Sequence, residues 1–207
     1  MTRPYKLGQR QVATDQTRSS IMTAAWNLLA SDEGVAGFTM ETVARKAGVS
    51  RMTVYYQFES KTKLLESLCD HLAVRGGMHQ MPAVFAHENP LDALKELVLI
   101  FARFWGLDRS VIVRVKALAV IDPEIDAVIK GREARRREVV RVLVRRLMER
   151  FHKPAPERFD DVVEMLCAVI SFEMFQALSG ADRTFEDVAP QVTHLVKLIC
   201  EVPVESA

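Results

Sequence analysis

The chain has 207 residues, 49% of them hydrophobic, and a formal net charge of +1. This is enough for one large or two small packed domains, and the balanced charge excludes a uniformly basic nucleic-acid coat while allowing a local basic patch. No apolar run reaches the ~18 residues that a membrane helix needs, and the first residues are polar, so we expect a soluble, cytoplasmic protein with no membrane partner.

The periodicity of apolar residues predicts an all-α fold. They recur three and four positions apart along almost the whole chain, and no hairpin turn separates alternating runs. Residues 1–14 are predicted to form a flexible N-terminal arm. A first helix is expected over about 17–31, where the glycines and acidic residues that follow end it.

The next block predicts short helices around a tight turn. Thr39 is expected to cap a helix over 40–47, and Gly48 to supply the left-handed backbone that follows it. Ser50 is expected to cap a second helix, over 51–58. Two helices joined in this way are typical of a helix-turn-helix, whose second helix enters the major groove of DNA.

That second helix carries side chains suited to DNA. Arg51, at its N-terminal end, can donate two hydrogen bonds to one guanine, which is worth roughly 1–3 kcal/mol of discrimination against another base. Met52 can meet a thymine methyl group. Lys61 opens the following helix, predicted over 61–75, and can hold a phosphate together with the free backbone N–H groups. Hydroxyl and amide groups for phosphate or base contacts come from Thr53, Tyr55, Tyr56 and Gln57.

The stretch Phe38–Leu68 carries a longer signature than the turn alone. Its members are Thr39, Val43, Ala44, Ala47, Gly48, Val49, Ser50, Thr53, Tyr55, Phe58, Ser60, Lys61, Leu64 and Leu65. In that order and spacing they resemble the DNA-binding domain of the tetracycline-repressor (TetR) family, over roughly residues 17–68. The run Val54–Lys61 makes the resemblance specific, and one departure is Met52, where many members have a small residue.

The resemblance implies a homodimeric transcription regulator, most simply a repressor of a near-palindromic operator that a small-molecule effector releases. It implies a three-helix helix-turn-helix domain over 15–75 and a helical ligand-binding and dimerisation domain over 76–207. The family's phosphate-holding positions are matched by Thr39, Thr53, Tyr56 and Lys61, and its positions near bases or the adjoining backbone by Arg51, Met52, Tyr55 and Gln57. Ser50 is expected to act first as a cap and second as a phosphate ligand.

After Pro90 longer helices are predicted, over about 90–105, 110–120, 123–151, 157–178 and 185–201. A ligand cavity of unknown polarity is expected among them. Its predicted wall is Phe101, Phe104, Trp105, Arg114, Met165, Phe172, Phe175 and Gln176. The last two helices are the predicted dimer interface, with an ordinary intrachain core as the alternative. The interface residues are Val162, Leu166, Val169, Val188, Val192, Leu195 and Ile199.

The basic run from Glu133 to Arg150 could be a patch that binds nucleic acid. The interleaved Val and Leu residues favour the alternative, a solvated face of an amphipathic helix. We expect it to pair partly with acidic residues of the next helix, namely Glu157, Asp160, Asp161 and Glu164. The 3 cysteines lie far apart in apolar segments, which predicts buried small hydrophobes and neither a metal site nor a disulfide.

Alternative functions differ in class. A TetR-like activator, or a regulator that answers a protein partner, would use the same DNA chemistry. A helical adaptor would show neither sequence preference nor a steep salt dependence with DNA. An enzyme is disfavoured because no nucleophile elbow, zinc spacing or phosphate loop occurs and the histidines are scattered, and no cofactor is expected.

Overall fold

The computed structural model describes residues 5–200, with side chains described from residue 11 onward. All regular structure in this range is helical, which confirms the all-α prediction. Short 3-10 turns at Met78–Gln80 and Pro156–Arg158 accompany the α-helices. These are α1 (Tyr5–Ala30), α2 (Gly34–Gly37), α3 (Met40–Ala47), α4 (Arg51–Phe58), α5 (Lys61–Arg75), α6 (Met81–Ala86), α7 (Pro90–Gly106), α8 (Arg109–Ile121), α9 (Pro123–Phe151), α10 (Phe159–Val169), α11 (Phe172–Ser179) and α12 (Phe185–Ile199).

The described residues form two compact units. The first contains residues 5–71 together with Ser110–Ile129, and the second contains Leu72–Arg109 together with residues 130–200. The first unit therefore holds more than the helix-turn-helix segment predicted over 15–75, because most of α8 and the first turns of α9 cluster with it.

The first unit buries one apolar stripe from each of its helices. Ile21 and Leu28 of α1, Val43 of α3, Val54 of α4 and Leu64 of α5 are all fully buried. Helix α3 packs against both α1 and α4. Burial of these stripes, at roughly 25 cal/mol per Å² of apolar surface, holds the short helices in place, since helices of this length are unstable alone.

Helix α1 begins at Tyr5, so its segment 5–14 is helical where a flexible arm was predicted; residues 1–4 of that arm lie outside the described residues. The side chains of this segment favour a helix locally. Gln11 donates to Asp15 at 3.0 Å, one turn on, and the Thr17 hydroxyl donates back to the carbonyl of Ala13 at 2.9 Å.

Caps and a left-handed glycine make the turn between α3 and α4, as predicted. The Thr39 side chain accepts from the backbone N–H of Thr42, and that of Ser50 accepts from the N–H of Thr53. Gly48 adopts φ 67° and donates to carbonyls of the last turn of α3. Each contact lies within five residues of sequence, which is why local reasoning predicted the turn.

Replacing Gly48 with alanine is expected to lower the free energy of unfolding by ~1 kcal/mol, because a Cβ disfavours left-handed backbone. No atom lies within 4 Å of the added Cβ, so steric clash adds nothing. Gly131→Ala is the matched control, since Gly131 lies inside α9 with equally open surroundings. There alanine should stabilise by about 1 kcal/mol. Urea midpoints measure both shifts, and two shifts of the same sign would contradict the backbone explanation.

In the second unit α7 packs against α6, α11 and α12, and α12 packs against α10 and α11. Its core includes Leu97, Leu143, Val162, Phe175 and Phe185, all nearly or fully buried. A capping box begins α12: the Thr184 side chain accepts from the N–H of Asp187, whose carboxylate accepts from the N–H of Thr184. These hydrogen bonds hold the pKa of Asp187 below its usual value.

The single helix predicted over 157–178 is wrong: it is two helices, α10 and α11, that meet at an angle of 52°. Ser171 has extended backbone at the break, and its hydroxyl accepts from the N–H of Met174 at 3.3 Å. A serine that caps a following helix competes with continuation of the preceding helix. The prediction missed the break because the apolar periodicity continues across Ser171 unchanged.

Between residues 5 and 200 no individual helix has the length and apolar character to cross a bilayer; the bent pair of Pro156–Val169 and Phe172–Ser179 meets that test only when taken together. The cysteines Cys69, Cys167 and Cys200 are buried, as predicted. Burial raises the pKa of Cys200 to about 12, which keeps it an inert thiol at neutral pH.

Candidate functional site

Helix α4 presents one face to the core and the other to solvent. Val54 and Phe58 point inward, with 0% and 2% of their surface exposed. Met52 and Tyr56 point outward, with 75% and 84% exposed, and Arg51 is exposed beside them. Together they give α4 an exposed apolar and aromatic face that is available to a binding partner. The predicted recognition helix therefore stands on the surface of the first unit.

The N-terminal end of α4 is ordered by contacts among the predicted DNA-binding residues. The Arg51 guanidinium donates to the Tyr55 hydroxyl at 3.4 Å and lies 5.4 Å from the centre of its ring. That hydrogen bond raises the pKa of Arg51 further, so the side chain stays charged. Tyr55 is half-buried, and the hydroxyls of Ser50 and Thr53 lie 2.8 Å apart.

Thr39, Gln57 and Lys61 frame the rest of this surface. The Thr39 hydroxyl is exposed and lies 3.0 Å from that of Thr42 while it caps α3. The backbone carbonyl of Gln57 accepts from Arg18 at 2.7 Å, and the same guanidinium lies 4.1 Å from the Phe58 ring centre. Arg18 therefore fixes the end of α4 against α1, a role that its position in the sequence did not indicate.

Lys61 has a protein partner that the sequence did not reveal. Its ammonium group lies 2.5 Å from the carboxylate of Asp122, which also accepts from the backbone N–H of Glu124 at the start of α9. The hydrogen bond from Lys61 is the main reason that the pKa of Asp122 lies below its usual value. A DNA phosphate at Lys61 would therefore compete with a carboxylate already in place.

Several predicted cavity residues come together as an aromatic cluster in the second unit. The rings of Phe101 and Trp105 stack at 5.7 Å, and Phe104 lies 4.5 Å from Trp105. Phe172 contacts Trp105 at 5.9 Å, whereas Phe175 is fully buried. The indole N–H of Trp105 donates to the carbonyl of Ile170 at 3.1 Å, which links α7 to the break after α10.

The polar residues predicted for this cavity lie elsewhere. Arg114 belongs to the first unit, where it donates to the carbonyl of Leu29 at 2.8 Å and its guanidinium lies 3.8 Å from Asp32. Placing it in the cavity was wrong, because the last carbonyls of α1 need a donor and α8 supplies one. Gln176 is exposed and Met165 half-buried. A groove of about 510 Å³ lies instead along α11 and α12, at Leu178, Arg183, Pro190, Gln191, His194 and Leu195.

Most of the predicted dimer residues lie in the core of the single chain. Among them, Val162, Leu166, Val169, Val188 and Val192 are each at most 7% exposed. Helices α10 and α12 pack on each other, so these side chains form the intrachain core that was the alternative interpretation. Leu195 and Ile199 are half-exposed, and Leu198 beside them is 53% exposed.

The basic face of α9 is partly neutralised, as predicted. Arg137 forms a bidentate pair with Glu164 at 2.8 and 2.9 Å, and Arg141 pairs with Asp160 at 2.9 Å. The hydrogen bond from Arg137 lowers the pKa of Glu164. No group of His, Cys, Asp and Glu suited to a metal ion occurs among residues whose structure is described.

Residues 21–68 match the family model described as bacterial regulatory proteins of the TetR family. Over these residues the chain is similar to the DNA-binding domain of the TetR family. It is 32% identical over 93 residues, 45% of its own length, to the HTH-type transcriptional repressor NicS of Pseudomonas putida. That alignment covers 43% of NicS, so the chain spans less than half the length of the curated relative that it matches. The matched family model describes bacterial regulatory proteins, and NicS is a transcriptional repressor.

Solved structures resemble this chain over most of its length. A transcriptional regulator from Saccharomonospora viridis in complex with choline superposes with a TM-score of 0.67 at 18% identity, covering 88% of this chain and 96% of that one. FadR from Bacillus subtilis in complex with stearoyl-CoA gives a TM-score of 0.66 at 15% identity, covering 86% and 96%. At these identities the likeness shows the fold.

Proposed function

We propose that this chain is a homodimeric repressor in the cytoplasm that binds a near-palindromic operator and is released by a small-molecule effector. The observation that carries the proposal is the outward face of α4, where Met52 and Tyr56 are 75% and 84% exposed beside the charged Arg51. A helix with that face can enter the major groove with its N-terminal residues toward the base edges.

The proposed dimer sets the form of the operator. Two copies of α4 must meet successive major grooves, about 34–36 Å apart, so the site should consist of inverted half-sites one helical turn apart. The half-exposed Leu195 and Ile199, together with Leu198, give α12 an apolar edge that a second copy would cover. Sedimentation at several protein concentrations measures whether the dimer forms.

Control by an effector rests on the second unit. The aromatic cluster of Phe101, Phe104, Trp105 and Phe172 suits a small molecule with an apolar body. Both solved structures named above contain a small molecule, choline in one and stearoyl-CoA in the other. An effector that reverses DNA occupancy from about 1:99 to 99:1 must favour the released state by about 5.5 kcal/mol. DNA must then weaken effector binding by the same factor.

Selection of bound sequences from random duplex DNA tests the proposal directly. We expect the recovered sequences to share one inverted repeat, and the affinity for it to fall steeply as salt rises. Transcription from a promoter carrying that repeat, with and without the protein, then distinguishes repression from activation. Recovery of unrelated sequences, bound weakly and with a shallow salt slope, would contradict operator binding.

A further inference from the structure

Arg136, a half-buried arginine of α9, directs its guanidinium toward the aromatic cluster. The carbon at the centre of its guanidinium lies 5.9 Å from the ring centres of both Phe101 and Trp105. Its Nε is buried and has no hydrogen-bond partner among the residues that the structure describes. A buried donor without a partner costs roughly 1–3 kcal/mol, so such groups in native proteins call for an explanation.

No carboxylate of the described residues forms an ion pair with Arg136. Glu164, one turn before Cys167 on the facing helix α10, is held by both N–H groups that Arg137 directs at it. The neighbour that Arg136 does have on α10 is the thiol of Cys167, whose pKa is raised by burial and lowered in part by the charge of Arg136 and by a hydrogen bond with its guanidinium, which leaves the Nε without a partner. The guanidinium is thus surrounded by two aromatic rings and a neutral thiol.

The surroundings of Arg136 restrict what could bind there. The indole N–H of Trp105 is already used by the carbonyl of Ile170, so it offers no free donor to a ligand. A cationic ligand would place a second positive charge against the same rings and be repelled by Arg136. An anion would supply the missing acceptor, and guanidinium binds carboxylates with two parallel hydrogen bonds.

We propose that the aromatic cluster and Arg136 form a binding site for an organic carboxylate with an aromatic or branched apolar body. The carboxylate oxygens accept hydrogen bonds from the Arg136 guanidinium, and the apolar body packs against Phe101 and Trp105. The proposal rests on the proposed function, since it gives the chemical class of the effector. Arg136 belongs to α9, the helix that begins one residue after Asp122, the partner of Lys61.

Fluorescence of Trp105 tests the site with three probes of similar shape: phenylacetate, phenylacetamide and 2-phenylethylamine. The chain has 2 tryptophans, so Trp26→Phe leaves Trp105 as the single emitter. We expect phenylacetate to change the emission with a dissociation constant at least about tenfold below that of the neutral amide, and the amine to bind weakest. Equal affinities for acid and amide, or no change of emission with any probe, would overturn the proposal.

Arg136→Met keeps the length of the side chain and removes its charge. It should abolish the preference for phenylacetate over the amide, and raise the melting temperature of the free protein because a buried unpaired donor is gone. Arg145→Met is the matched control, since Arg145 is exposed on the same helix, and it should keep the preference. A lower melting temperature of the Arg136 variant with the preference intact would make Arg136 a structural residue and overturn the site.

DNA binding measured in the same samples separates this proposal from the function on which it rests. If phenylacetate binds but no operator is found, the repressor function is wrong and the carboxylate site stands. If the unaltered chain does not discriminate among the probes, and the Arg136 variant binds the operator equally well, the repressor function stands and the carboxylate site is wrong.

Discussion

Arg51→Ala is expected to weaken operator binding by roughly 1–3 kcal/mol for each half-site, which is about fivefold to 150-fold in affinity per half-site. Arg51 is exposed at the first position of α4, where a recognition helix meets base edges. Its guanidinium is already oriented by the Tyr55 hydroxyl at 3.4 Å, so its planar fork is partly arranged before DNA binds. Competition binding with operator variants measures the loss and the base position at which it occurs.

The conservative variant separates base reading from charge. Arg51→Lys keeps the positive charge but cannot form two parallel hydrogen bonds to one guanine, so it should lose preference at one base step while keeping affinity for unrelated DNA. Arg145→Ala removes another exposed arginine, from α9, and should leave the preference unchanged. If Arg51→Ala left both affinity and preference intact, the role of α4 as the reading helix would have to be abandoned.

Lys61→Ala is expected to weaken binding to every DNA sequence about equally and, for each half-site, to reduce the salt slope by about 0.9, a loss of about fivefold per half-site at physiological salt. The ammonium stands at the start of α5, where backbone N–H groups also favour a phosphate. A loss confined to particular base sequences would argue against a phosphate contact.

Substitution of Asp122 is expected to have the opposite effect on DNA binding. Because its carboxylate lies 2.5 Å from the ammonium of Lys61, a phosphate must displace it. Asp122→Asn should therefore strengthen binding to all duplexes severalfold, and the double variant with Lys61→Ala should bind like Lys61→Ala alone. Such a double-mutant cycle isolates the coupling between the two side chains. Independent effects that simply add would mean that Lys61 stays with Asp122 on DNA.

The fold class and the recognition helix could be predicted from the sequence because their determinants are local. Thr39, Ser50 and Gly48 act on backbone groups within five residues of themselves, and the inward Val54 and Phe58 are one turn apart. The same locality explains why the exposed face of α4 was foreseen, since fixing the buried stripe of a short helix fixes the opposite side as well.

Only the tertiary structure decided which distant groups meet. Lys61 pairs with Asp122, and Arg114 donates to a carbonyl at the end of α1. Arg136 lies against the aromatic cluster, whereas the neighbouring Arg137 pairs with Glu164. Helical periodicity reports the direction of a side chain around its own axis and carries no information on which helix faces it. The chain thus encodes its DNA-binding turn in neighbouring residues, whereas the polar partners that surround it and the aromatic cluster exist only once the helices have packed.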